Sequence, residues 1–153
     1  MKVLTVIGVG NRLRGDDAVG PLLIDELSKL SDPRLELIDA GSDALGILEY
    51  LAGREQVLLV DACRMGKAPG SLVTFRPLER KLILDTDPLS LHGLGLAETL
   101  DMAESLHMLP TDLKIIGIEP DSIQFNGKLS SSVQAAMSLA IEKINDELFQ
   151  LTN

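Results

Sequence analysis

Three short apolar runs, each leading to aspartate, restrict the folds open to this chain more than any other feature. The first is Val3 to Ile7, within VLTVIGVGNRLRGDDAVG at residues 3–20, which is apolar and β-branched enough for a buried strand. Gly8 and Gly10 allow a tight turn after it, Asn11 can bond back to that turn, and Asp16 and Asp17 follow. The second run, Leu35 to Ile38, ends at Asp39-Ala40-Gly41-Ser42. The third, Gln56 to Val60, is continuously apolar, as strands buried on both faces of a parallel sheet are, and delivers Asp61. Helical spacing fills the gaps. Pro21 stands in the first turn of a helix to about Leu30, with Val19, Leu22, Leu23, Leu27 and Leu30 apolar. A second helix covers about 44–51 behind Ser42 or Asp43 as N-cap, with Leu45, Leu48 and Leu51 on one face and Gly53 as its stop. Ligands bind beyond the carboxyl ends of strands in open α/β sheets, so all these acids occupy the edge where chemistry is expected.

After Cys63 the segment RMGKAPG is turn chemistry, and Ser71 to Pro77 then alternates as a strand. No helix fits in that connection, so this strand should run antiparallel to its predecessor near a sheet edge. Residues 80–90 are polar and irregular. Leu96, Leu100, Ala103 and Leu106 give helical spacing from Leu91 to about Met108, closed by Pro110, which puts His92 at the start and His107 in the last turn. Lys114 to Ile118 is a last buried strand, followed by the loop EPDSIQFNG. The helix from about Ser130 to Leu148 sets Val133, Met137, Ile141, Ile144 and Leu148 along one stripe. The order predicts an α/β three-layer sandwich: a five-stranded, twisted, mostly parallel but mixed sheet with helices on both faces.

Residues 1–153 are read as a single domain, long enough to bury roughly two-thirds of the unfolded surface. Cys63 is the one cysteine, so no internal disulfide forms and a reducing cytoplasm is expected. MKVLTV runs straight into the first strand, and no apolar stretch approaches the roughly 20 residues of a membrane span. A net charge of −9 repels phosphate backbones and favours a cationic partner or a metal ion, although many proteins are acidic for solubility alone. Neither a nucleic-acid nor a membrane partner is expected, and a monomer is. Nucleotide binding is disfavoured too, because Leu13 stands where GxGxxG needs its third glycine and no GK[ST] follows. Nor is there a G-x-S-x-G elbow for a serine hydrolase.

Asp17, Asp61 and His92, with Asp16 and Asp39 as neighbours, form the constellation with chemical meaning. If the strands bearing Asp17 and Asp61 are adjacent, two carboxylates and an imidazole converge on a divalent cation such as zinc, nickel or iron(II), with positions open for water or substrate. The alternative for Asp16 and Asp17 is helix capping and a dipole interaction. For His92 it is a partly exposed helix cap. His107 is assigned to the helix dipole and Cys63 to an inert, half-buried thiol.

Taken together, GVGNRLRGDDAVG, VDA at 60–62, SLHGLGLAETL at 90–100 and IGIEP at 116–120 resemble the hydrogenase maturation endopeptidases, in order and over nearly the whole chain. The resemblance implies a five-stranded α/β sandwich and metal contacts at Asp17, Asp61 and His92. It implies that Asp39 lies by the cleft and engages substrate, although Asp39-Ala40-Gly41-Ser42 departs from the usual D-G-G-T. The implied activity is removal of a short C-terminal peptide from the nickel-loaded precursor of a nickel-iron hydrogenase large subunit. The nickel belongs to the substrate, and a carboxylate such as Asp16 or Asp39 assists as base. Selectivity among precursors is expected in the loops at 78–90 and 120–128. Two other readings use the same residues: a non-catalytic accessory module that checks the nickel-loaded precursor, and a metal-dependent hydrolase of small molecules.

Overall fold

The computed structural model describes residues 1–85, 95–125 and 127–151. Five strands, β1 (Leu4–Val9), β2 (Leu35–Gly41), β3 (Gln56–Ala62), β4 (Leu72–Phe75) and β5 (Asp112–Ile118), form one sheet in the order β2-β1-β3-β5-β4. All neighbouring pairs are parallel except β4 with β5, where Leu72 faces Ile118 and Phe75 faces Ile115. The short turn-rich link after β3 cannot cross back over the sheet, so β4 returns antiparallel at the edge, as expected.

Strand parity decides which side chains meet which helices. Leu4 and Val6, Leu58 and Val60, and Ile116 and Ile118 point to one face, where they pack against α1 (Val19–Ser28) and α5 (Ser131–Leu151). Ile7 and Val9, Val57 and Leu59, and Leu113 and Ile115 point to the other, against α2 (Ala44–Leu51) and α4 (Leu96–Ser105). The sandwich therefore has three layers. Because α1 carries the chain from β1 to β2 on one face and α2 carries it back to β3 on the other, a crevice opens between the carboxyl ends of β1 and β3. Gly8 and Gly20 seat α1 at this point: a Cβ at Gly20 would overlap the carbonyl oxygens of Val9 and Val60, and one at Gly8 the carbonyl of Gly20.

Several local expectations are corrected. Leu45 is 61% exposed, and the face that α2 buries is Ile47, Leu48 and Leu51. Arg80–Ile83, in the stretch expected to be irregular, forms a short helix, α3, whose Arg80 bridges to Asp101 and Glu104 on α4. Helix α4 is shorter than the apolar spacing suggests, ending at Ser105 instead of near Met108. His107 follows it in the left-handed region at φ 55°, with its amide bonded to the Glu104 carbonyl and that of Met108 to Ala103. That is a Schellman ending, so His107 terminates the helix through its backbone and does not sit in its last turn.

The buried polar side chains among the described residues are Thr5, Asp16, Asp17, Asp61, Thr99 and Glu119. All four acids lie at or just past the carboxyl ends of β1, β3 and β5. Buried carboxylates need hydrogen bonds, cations or metal, and here they are collected at one edge of the sheet. No described helix is long and apolar enough to cross a membrane.

Candidate active site

Asp16 and Asp17 occupy a single 3-10 turn, Gly15–Ala18, between β1 and α1, and their side chains serve different partners. Gly10, at φ 144°, makes the fit: a Cβ there would run into the Asp17 carbonyl. The Asp17 carboxylate takes a hydrogen bond from the Asn11 amide at 2.9 Å through Oδ2. It does not cap α1, whose N-cap position is Ala18, so the capping alternative does not describe it.

Asp16 is directed to the loop after β5. Its Oδ2 accepts from the amides of Asp121 and Ser122 at 2.8 and 2.9 Å and from the Ser130 hydroxyl at 2.9 Å, and its Oδ1 from the Ser130 amide at 2.7 Å. With both oxygens occupied, Asp16 fastens residues 121–130 to the Asp17 turn, and its expected part as a base is corrected to that role. Burial pulls its carboxyl upward, but the amides of Ser122, Ser130 and Asp121 outweigh burial and hold it below the ordinary range. A depressed folded-state value adds stability above about pH 4 and forfeits it as pH falls through the folded value. Asp16→Ala should therefore lose about 3 kcal/mol at neutral pH and open residues 121–130 to proteolysis. It should also show a weaker loss of stability below about pH 4 than the parent in acid titrations of thermal unfolding.

Asp61, in the last turn of parity before β3 ends, points to the face covered by α2 and α4 and is 1% exposed. A narrow cleft borders it, lined also by Val9, Ser42, Ala44, Ile47, Leu96 and Thr99. Asp43 caps α2 beside this cleft by accepting from the Leu45 amide at 3.1 Å, which fixes the wall that Ala44 and Ile47 provide. Thr99 returns its hydroxyl to the Gly95 carbonyl at 3.1 Å, tying the start of α4 into the opposite wall.

Cys63, two residues on from Asp61, is buried, with its thiol directed at the Asp61 carbonyl at 3.5 Å. Burial pushes its thiol well above the ordinary value, and the charges of Asp61, Glu119 and Asp17 push it further. The thiol is buried, not half-buried as expected, and the raised value fits the inert role assigned to it.

Asp39 is not brought to this group. It lies in register with Gly8, whose missing Cβ would touch Ile24 of α1, and so it faces the α1 side. There Arg12 holds it at 2.8 Å and bridges at the same time to Asp25 at 2.7 Å. The hydrogen bonds to Asp25 and Asp39 raise the Arg12 guanidinium above its ordinary value. The carboxylate expected to assist as base is thus paired with Arg12 on the α1 side. His92 lies outside the described residues, four positions before the cleft-lining Leu96.

Glu119, in the IGIEP motif, was given no role on sequence grounds. It is 5% exposed, and its Oε1 accepts from the amides of Met65 and Lys67 at 2.8 and 2.9 Å, holding the loop that follows β3. The signal that singled out Asp61, an acid ending a continuous apolar run, applies equally to Glu119 after KIIGI.

Comparison with known proteins agrees with this architecture. The Hydrogenase 2 maturation protease of Escherichia coli strain K12 is 31% identical over 147 residues, covering 94% of this chain and 88% of that protein. The structure of the hydrogenase maturating endopeptidase HybD from E. coli superposes with a TM-score of 0.81 at 27% identity, covering 98% of this chain and 93% of that one. The NiFe hydrogenase maturation protease HycI from Thermococcus kodakarensis KOD1 does so with a TM-score of 0.74 at 25% identity, covering 95% and 91%. The model of the hydrogenase maturation protease family matches residues 21–147, a span that holds Asp39, Asp61 and His92 and begins just after Asp17. The chain therefore belongs to the hydrogenase maturation protease family and is a hydrolase of the endopeptidase class.

Proposed function

We propose that this protein removes a short C-terminal peptide from the nickel-loaded precursor of a nickel-iron hydrogenase large subunit, in the cytoplasm. Asp17, Asp61 and His92 contact the nickel, which arrives as part of the substrate. The observation that carries this reading is the burial of Asp17 and Asp61, 0% and 1% exposed, one on the turn that follows β1 and the other at the end of the adjacent β3, the two strands flanking the switch point of the sheet. Metal coordination is one of the few settings in which carboxylates are kept so far from water. Oxygen and imidazole donors suit a divalent ion such as nickel, and the neutral Cys63 adds no soft ligand to trap it.

Among the described residues, no three of His, Cys, Asp and Glu are placed to hold a metal ion. A pair of carboxylates completed by His92 leaves coordination positions for groups of the precursor, so the ion is shared at the moment of cutting and not stored. The scissile carbonyl or a water is polarised by the substrate's ion, which removes the need for a strong protein base. The chain's own contribution is to orient the peptide along the cleft beside Asp61.

The test is the intact mass of a nickel-loaded precursor from the same operon, before and after incubation with the protein and with Asp17→Ala. Loss of a short C-terminal peptide with the parent chain alone is expected. An unchanged mass together with tight precursor binding would favour an accessory module instead.

A further inference from the structure

We propose that Glu119 is a positioning residue for Asp61: its carboxylate fixes the loop after β3 so that Cys63 and Met65 pack beside the Asp61 side chain and hold it in its working orientation. This rests on the processing reading above, in which Asp61 contacts the substrate's ion. It assigns the reaction a further residue that does not itself touch the ion.

Strand register brings these residues together. Asp61 on β3 pairs with Gly117 on β5, and alternation turns both to the face that Val57 and Leu59 share with Leu113 and Ile115. Gly117 has no side chain to fill its place there. A Cβ at Gly117 would lie 3.1 Å from the Met65 sulfur and 3.2 Å from the Cys63 sulfur, so these two side chains occupy the space beside Asp61 instead. Both are buried.

Sheet pairing does not reach Met65. It continues past β3 only to the Cys63 amide, which donates to the Ile118 carbonyl at 2.9 Å. Beyond that point Glu119 takes over, its Oε1 accepting from the Met65 amide at 2.8 Å and the Lys67 amide at 2.9 Å. Hydrogen bonds to a carboxylate are stronger than those to a neutral acceptor, and here two amides converge on one oxygen. The Glu119 backbone closes the far end of the loop, its carbonyl accepting from Gly70 at 2.8 Å and its amide donating to Ser71 at 2.9 Å. The clamp extends to the chain after α3, because the Arg64 carbonyl accepts from the Asp85 amide at 2.9 Å. A carboxylate confined by such packing keeps one orientation, and a misplacement of about 1 Å at a reacting centre costs about a hundredfold in rate.

The test compares the parent chain with Glu119→Ala, Glu119→Gln and Leu148→Ala. Glutamine keeps an oxygen that accepts from both amides. Leu148→Ala lowers stability from the opposite face of the sheet and so controls for a merely structural loss. In Glu119→Ala, kcat on the nickel-loaded precursor should fall about tenfold or more with KM within about twofold. Labelling of Cys63, the one thiol of the chain, should speed up about tenfold or more, and the carboxyl carbon NMR signal of Asp61 should move. Glu119→Gln should stay within about threefold of the parent in both rates and keep that signal in place, and Leu148→Ala should match the parent throughout. Unchanged labelling, an unmoved Asp61 signal, an unchanged kcat or a loss confined to KM in Glu119→Ala would overturn the proposal, as would the same changes in either other variant. If the parent chain leaves the precursor whole, the processing reading falls, and labelling with the Asp61 signal decides the positioning.

Discussion

Replacing Asp61 with asparagine should end precursor processing, with kcat/KM falling by about a thousandfold or more, while the chain remains folded. The size of the effect follows from the role proposed for the carboxylate. Lewis-acid stabilisation is worth several kcal/mol, and each 1.36 kcal/mol is a factor of ten in rate. The fold survives because asparagine has nearly the same shape as aspartate, and β3 keeps its register with β5 through backbone pairing. Asparagine also carries no charge that has to be kept from water at this buried position. Thermal unfolding of Asp61→Asn should thus be at or above that of the parent. If Asp17 and Asp61 act on one ion, the double variant Asp17→Ala, Asp61→Asn processes no worse than either alone, since residues that act as a unit are not additive. Additive losses would place the two carboxylates in separate steps.

Gly20→Ala is expected to have the largest effect on stability, at least about 3 kcal/mol, although it adds a single methyl group. The new Cβ would meet the carbonyl oxygens of Val9 and Val60 and the amide nitrogen of Val9, all of them backbone atoms of sheet strands. Side chains can rotate away from such an overlap; paired strands cannot. Helix α1 must then lift from β1 and β3, which loosens Val19, Leu23 and Leu27, among the best-buried side chains of that face. For a chain of this size the loss corresponds to roughly 6–12 °C in the unfolding midpoint. Since Asp17 enters the site from the turn leading into α1, activity should decline with it even below the new midpoint. A midpoint within 2 °C of the parent, about the shift for 1 kcal/mol or less, would show that α1 is not seated as tightly as the glycine contacts require.

The two variants separate the site from the scaffold. Asp61→Asn removes function from an intact fold, whereas Gly20→Ala removes fold and takes function with it. Asp16→Ala belongs with the second, because its four hydrogen bonds join two loops.

Local chemistry alone was enough to read the layer architecture, the antiparallel edge strand and the aspartates at the strand ends. Continuous apolar runs such as QVLLV are stable only inside a parallel sheet, and a turn-only link forbids a crossover, so these features needed no knowledge of distant contacts. The order β2-β1-β3-β5-β4 was not legible, and it is the order that makes β1, which leads to the Asp17 turn, and β3, which carries Asp61, neighbours at the switch point. The fates of Asp16 and Asp39 depended on partners 105 residues or more away in one case and 27 in the other, Ser130 and Arg12, whose approach no spacing rule encodes. Leu45 has the periodicity of a core residue, but α2 is rotated so that Ile47 takes that place, because helical period specifies a stripe and only packing specifies what the stripe faces. The residue types and their positions along the chain were determined by sequence; which carboxylates share a site and which serve as fastenings was decided by the tertiary structure, since convergence is a property of long-range packing.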